Sequence, residues 1–303
     1  VANHHLFVWQ RSISIVAAAA LGFMAGFSLT VDKSISQRAV NTITSPLGGQ
    51  NQNTSNSQSF AVQSNEQFKK VVAKLMEEEK AKRINPPVPA QFKGKTINDI
   101  PLNSGEKVIA LTFDDGPWPK TTNEILYILN KNNIKATFFF IGRNAQTFPH
   151  LTKLVVEHGH AVGNHSWSHP YHQHSPAAAA QQIDRTTELI YKLTGIKTTM
   201  FRPPGGYLTN GLVSYAHSKK YVNVMWSADS RDYAVSSSTL LRNVINQSSP
   251  GGIVLMHDGG GDRMGTVHAL PEMINQLRKQ GYKFVTVPEL MEMREKELQA
   301  NKG

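Results

Sequence analysis

Cysteine is absent from all 303 residues. That removes a disulfide framework, a thiolate zinc site, a lipidation cysteine and a cysteine nucleophile together, so any transition metal must be held by histidine and carboxylate. Acidic residues are scarce beside basic ones, 22 Asp and Glu against 32 Lys and Arg, leaving a formal net charge of +10. A chain of that sign suits anionic surroundings: nucleic acid, an acidic membrane or an anionic cell-wall polymer. No nucleic-acid-binding motif and no Gly-rich phosphate loop is visible, so nucleic acid is not expected among the partners. The remaining composition, 40% hydrophobic and 18% charged, is that of an ordinary globular protein with room for one catalytic domain and extras.

Charge is also missing from Ser12 to Val31, a run that at helical rise covers about 30 Å, the hydrocarbon core of a bilayer. It reads as a signal-anchor, or as a signal peptide with a long apolar region, giving an N-terminal membrane segment over residues 1–36. From about Gln37 to Asn65 the chain is rich in Ser, Thr, Asn, Gln and Gly and reads as a flexible tether. Phe68, Val71, Val72, Leu75 and Met76 then recur at helical spacing, predicting a short amphipathic helix that ends before Pro86 and packs on the domain or a partner. An irregular, Pro-punctuated approach over 85–106 completes a linker of residues 37–107.

From Val108 the pattern alternates strand and helix about seven times. Strands are expected at 108–114, 136–142, 161–163, shortly before Phe201, and at 221–226, 252–256 and 282–287. Helices are expected at 120–132, 144–157, 176–194, 240–247 and 267–280. The expected fold is α/β, a distorted (β/α)7-type barrel, closed or nearly so, with its functional loops at one rim. An open doubly wound sheet is the alternative. The barrel domain is assigned to residues 108–290 and a C-terminal tail to 291–303.

The expected strand ends carry the chemistry. Val108 to Phe113 is a buried-strand run that delivers Asp114 and Asp115 into a Gly-Pro turn. Neighbouring residues at a strand end point apart, so one carboxylate can hold a metal while the other accepts a proton. Read alone, Asp-Asp-Gly-Pro is as well a solvated turn. His165 and His169 stand four residues apart, one helical turn, so both imidazoles can face one point; His172 and His174 read as surface residues. Phe201-Arg202-Pro203-Pro204-Gly205-Gly206-Tyr207 is stiff and then sharply turned. Its Arg can hold a carboxylate, and its glycines let a backbone N–H approach a substrate oxygen. Asp229 to Tyr233 and Leu255 to Asp258 close two further strands.

Taken together, TFDDGP at 112–117, HSWSH at 165–169, RPPGG at 202–206, DSRDY at 229–233 and LMH at 255–257 resemble, in order and spacing, the five motifs of the polysaccharide deacetylases of carbohydrate esterase family 4, the NodB-homology domain. The resemblance covers about 108–287. It implies a divalent metal, usually zinc, on Asp115, His165 and His169. It further implies Asp114 as general base, Arg202 holding that base, His257 as the acid for the leaving amine with Asp232 as its partner, and Leu255 lining the acetyl pocket. Gly205 and Tyr207 are placed in the substrate groove. Two departures stand out: the family often has Trp where this chain has Tyr233, and an aromatic where it has Gly205, which removes one wall of the sugar groove. The expected activity is removal of N-acetyl groups from acetylated cell-surface polysaccharide, most of all peptidoglycan N-acetylglucosamine, by a domain outside the cytoplasm. An O-acetyl esterase and a non-catalytic, membrane-tethered wall-binding module are the rivals.

Overall fold

The computed structural model describes residues 54–301. The uncharged run from Ser12 to Val31 and most of the polar tether lie outside the described residues. Among the described residues no helix is long and apolar enough to cross a membrane.

Every strand-to-strand pairing within the sheet is parallel. In chain order the strands are β1 (Thr96–Ile97), β2 (Val108–Asp114), β3 (Thr137–Phe140), β4 (Ala161–Asn164), β5 (Met200–Phe201), β6 (Val222–Val224), β7 (Ala228–Asp229), β8 (Gly252–His257) and β9 (Lys283–Val285). Across the sheet they run β1-β6-β5-β4-β3-β2-β8-β7, while β9 pairs with the first half of β2. Among the described residues β1 and β7 do not pair, so the barrel is open rather than closed. β2 is the hub, flanked by β3, β8 and β9.

All seven residues of β2 are buried, and successive side chains go to opposite faces. Ile109, Leu111 and Phe113 join the outer core, where the helices pack. Val108 and Ala110 face the barrel interior with Phe139, Met200, Val222, Val224 and Ile253. Thr112 and Asp114 continue the inward set, so the carboxylate at the end of β2 is aimed into the barrel by strand period alone. The outer layer contains α2 (Pro119–Lys131), α3 (Gly142–Thr147), α4 (Pro149–Glu157), α5 (Pro176–Thr194), α6 (Leu212–Ser218), α7 (Ser237–Gln247) and α8 (Met264–Lys279). A single helix over 144–157 does not form. Pro149 has no N–H to continue α3 and instead starts α4.

The domain boundaries differ from the expected ones at both ends. Helix α1 spans Thr54–Ile84, so the tether's last residues are helical; no Gly or Pro interrupts the chain between Gln50 and Pro86. Its apolar stripe does not pack as expected, since Phe68, Val71, Leu75 and Met76 are all exposed. Among its described side chains, the C-terminal Ala81 and Ile84 reach the outer core. The approach segment belongs to the domain: Asn85 makes two hydrogen bonds of 2.9 Å to the backbone of Val162, and Val88, Ile100 and Leu102 are buried in the barrel interior. Residues 291–301 are not a loose tail either. Helix α9 (Val287–Ala300), opened by a Thr286–Glu289 capping box, adds Val287, Leu290 and Met291 to the interior core.

Candidate active site

Asp114 and His257 are register partners at the carboxyl ends of β2 and β8, which fixes the distance between the first and fifth motifs by sheet geometry. His165 follows β4, Arg202 follows β5 and Asp229 ends β7, so five strands deliver side chains to one rim.

Arg202 is fully buried and its guanidinium is spent on four acceptors. Nη1 donates to Asp114 Oδ1 at 2.7 Å and to Thr112 Oγ1 at 2.8 Å, Nε to the Val224 carbonyl at 2.8 Å, and Nη2 to the Met225 carbonyl at 3.0 Å. The plane lies 4.2 Å from the Phe139 ring. One carboxylate oxygen of Asp114 is therefore pinned and neutralised, and Oδ2 remains free for a proton.

His165 and His169 converge on Asp115, with Nε2 to Oδ1 distances of 3.4 and 3.3 Å. They do so without a helical turn. The 165–169 segment is a loop with Ser166 at φ 67° and His169 at φ 56°, and Asp115 itself sits at φ 72°. Each is a left-handed conformation that costs a non-glycine residue about a kcal/mol or more. Side chains compensate. Asn164 Oδ1 accepts the Ser166 N–H at 2.8 Å, Ser166 Oγ accepts the His169 N–H at 3.0 Å, and Gln182 Oε1 accepts the N–H groups of Trp167 and Ser168 at 2.9 and 3.0 Å.

The donor set fits a divalent cation. His165 Nδ1 donates to the Arg202 carbonyl at 2.8 Å, so Nε2 is the nitrogen turned toward Asp115 and the one at which a cation would replace the proton. Asp115 Oδ1 is buried and lacks a hydrogen-bond donor, although two imidazole nitrogens face it. The three ligand atoms lie within 4.8 Å of one another. Burial and then the charge of His165 pull the His169 imidazole down to about 4, so at pH 7 it is neutral and has a lone pair to offer a cation. Burial opposes charge on Asp115 as well, but the His165 contact and the histidine charges outweigh it and hold the carboxyl below its usual range. The Gly260 backbone closes over that carboxylate so tightly that a Cβ there would lie within van der Waals overlap of Asp115 Oδ2.

On the opposite wall, Asp232 holds His257 at two points. Its Oδ1 meets Nδ1 at 2.6 Å and its Oδ2 accepts the backbone N–H at 2.8 Å and the Thr266 hydroxyl at 2.6 Å. Burial would deprotonate this imidazole, but the Asp232 hydrogen bond and charge, backed by Asp114 and Asp115, raise it to about 9. Nε2 is left toward the cavity. That cavity, of about 520 Å³, is lined by Asp114, Asp115, His165, His169, Leu255 and His257 together with Gly205, Trp226, Asp229 and Tyr233.

Chain and fold comparisons point to one family. Residues 102–224 match the family model described as polysaccharide deacetylase. A peptidoglycan-N-acetylglucosamine deacetylase of Bacillus cereus is 39% identical over 196 residues, which span 64% of this chain and 91% of the relative. The chain belongs to the polysaccharide deacetylase family. Among solved structures, a peptidoglycan N-acetylglucosamine deacetylase in complex with 4-naphthalen-1-yl-N-oxidanyl-benzamide is 36% identical, with a TM-score of 0.62 over 66% of this chain and 94% of that one. A CE4 family pseudoenzyme from Bacillus anthracis is 32% identical, with a TM-score of 0.59 over 65% and 68%. Both deacetylases are named for removing acetyl groups from peptidoglycan N-acetylglucosamine. The pseudoenzyme makes the individual site residues, rather than the fold, the thing to weigh.

Of the ten residues expected at the site, seven line this one cavity, and Arg202 and Asp232 stand behind it, holding Asp114 and His257. The tenth, Tyr207, is not part of its lining and reaches it only through contact with Tyr171. His172 is exposed as expected, but His174 is buried: the chain turns inward after the buried Pro170, and the His174 N–H donates to the Asn210 carbonyl at 2.9 Å. Sequence reasoning missed Thr112, Gln182, Thr266 and Tyr171. A hydroxyl inside the apolar run of β2 was a readable signal for Thr112. Gln182 and Thr266 lie on helices with nothing local to mark them.

Proposed function

We propose that the protein is a metal-dependent deacetylase of N-acetylglucosamine-containing polysaccharide, acting on peptidoglycan. The observation that carries this reading is the complete pairing of base with Arg202 and of acid with Asp232 across one cavity. A non-catalytic wall-binding module has no use for a buried guanidinium on one carboxylate and a raised imidazole opposite.

Asp115, His165 and His169 would hold the divalent cation, with zinc the ion best suited to a His-His-carboxylate set. When bound there, the cation would supply Lewis acidity for the acetyl carbonyl and for water. Asp114, held on Oδ1 by Arg202, accepts a proton on Oδ2 from the attacking water as the new C–O bond forms. Gly206 and Tyr207 give their N–H groups to Pro203 and Pro204, which leaves the Gly205 N–H for the developing oxyanion. His257 donates its Nε2 proton to the sugar nitrogen as the C–N bond breaks, and Asp232 balances the charge before the transfer. Acetate and a free amine result.

Amide cleavage needs that acid more than ester cleavage does, because an amine is the poorer leaving group, and this favours N-deacetylation over O-deacetylation. The basic chain suits an anionic wall, and the uncharged run Ser12–Val31 with its polar tether supports anchoring at the membrane with the catalytic domain outside the cytoplasm. Digestion of intact cells with added protease tests the placement; a domain protected until lysis contradicts it. Acetate release from chitooligosaccharide, wall glycan and acetylxylan tests the activity. A tenfold or greater preference for acetylxylan, about 1.4 kcal/mol in transition-state binding, overturns the amide reading.

A further inference from the structure

Position 205 has no side chain, yet the space beside it is occupied. A Cβ built on Gly205 would stand 2.8 Å from Tyr171 Cε1 and 3.0 Å from Tyr207 Cε2, closer than real Cβ contacts come. The two tyrosine rings meet edge to face, with centroids 5.6 Å apart and planes at 70°. Tyr171 also packs perpendicular to the metal-side histidine: its centroid lies 5.1 Å from that of His169 at 89°. Despite those contacts both rings are bare, Tyr171 57% and Tyr207 51% exposed. Tyr171 follows the buried Pro170, which restricts the chain that carries the ring, and it lines the cavity that holds Asp114 and His257.

An aromatic ring that is held by two neighbouring rings yet more than half exposed, beside a reacting centre, is a surface for the C–H face of a pyranose. Such a ring offers large contact area at low conformational cost. We propose that Tyr171, buttressed by Tyr207, supplies the aromatic wall of the substrate groove, in the space that a side chain at position 205 would otherwise fill. Gly205 is thus not a gap in the groove. Its bare, left-handed backbone at φ 61° is what admits the Tyr171 ring while leaving the 205 N–H uncovered. The ligand class is a β-linked N-acetylhexosamine oligomer, and the inference rests on the deacetylase reading given above.

The test compares metal-loaded wild type, Tyr171→Phe, Tyr171→Ala and the pair Tyr171→Ala with Gly205→Tyr on N-acetylchitotetraose, with metal content measured for each. Tyr171→Ala is expected to raise KM about tenfold while kcat and metal content stay close to wild type, and Tyr171→Phe to restore KM. On the Tyr171→Ala background, Gly205→Tyr is expected to regain part of the lost affinity, whereas Gly205→Tyr alone, meeting the native ring, is expected to lose it. An unchanged KM in Tyr171→Ala overturns the proposal. So does a loss that Phe does not rescue, which would assign the hydroxyl rather than the ring. A fall in kcat that tracks metal loss at constant KM would make Tyr171 a mere support for His169, and also overturns it. If wild type releases no acetate from any polymer, the deacetylase reading fails on its own. Calorimetric titration of the oligomer into wild type and Tyr171→Ala then still decides whether the ring binds sugar.

Discussion

The Arg202 guanidinium reaches Asp114 at 2.7 Å from a position wholly out of solvent, and its other hydrogen bonds go to two backbone carbonyls and to Thr112. The pair therefore ties the proposed general base to the stability of the fold. Arg202→Ala leaves a buried carboxylate uncompensated and is expected to cost about 3–5 kcal/mol of stability, together with activity. Arg202→Lys keeps the charge but loses the fork and falls between. Denaturant midpoints measured beside acetate release separate the two losses; a stable, active Arg202→Ala protein would refute the coupling.

The acid and base steps should be separable from metal binding. Asp114→Asn and His257→Ala are each expected to lower kcat by about 10² to 10⁴ while metal content is retained, since proton transfer is typically worth that much. Near-normal turnover in either variant removes that residue from the mechanism.

Metal retention should depend on the loop as well as on its ligands. His165→Ala combined with His169→Ala is expected to abolish stoichiometric metal. Gln182→Ala, which strips the acceptor from the Trp167 and Ser168 N–H groups, is expected to weaken affinity by about 10- to 100-fold without touching a ligand. Competition with a chromogenic chelator measures both. Undiminished content in the double histidine variant would exclude this site.

His257 sets an alkaline limit. Its folded pKa, raised to about 9, lies above the ordinary 6.5. The charged form therefore stabilises the fold fully below about 6.5, and that contribution is lost as pH rises through 9. The proton available to the leaving amine disappears over the same interval. Asp232→Asn removes the carboxylate that opposes the effect of burial, so the descending limb of the kcat profile is expected to move to lower pH. A limb that stays near pH 9 in that variant would assign it to another group.

How much of this was legible in the sequence differs by element. β2 could be read almost to the residue, because an apolar run of strand length that ends in two aspartates and a Gly-Pro turn fits a buried strand and little else. The pairing of Arg202 with Asp114 and of Asp232 with His257 came from the family resemblance rather than from spacing, since each links residues on different strands. β1 was not legible: two residues make no periodic signal, and Thr96–Ile97 is a strand only because β6 offers an edge. The helical spacing of His165 and His169 suggested the right convergence by the wrong route, for a left-handed loop brings the rings together. Tyr171 carried no signal, because nothing local says that a tyrosine two residues past His169 will meet a glycine from another strand end.

Ser166 is where folding and function ask for different residues. It is wholly buried at φ 67°, a conformation glycine adopts freely, yet its hydroxyl is what accepts the His169 N–H. Ser166→Gly is therefore expected to raise the melting temperature of the metal-free protein and at the same time to loosen the ion. Selection for thermal robustness alone would erode the site at this position, and selection for catalysis would hold a backbone less comfortable than the chain could have. The residue marks a point at which heat tolerance and turnover trade against each other along a single side chain.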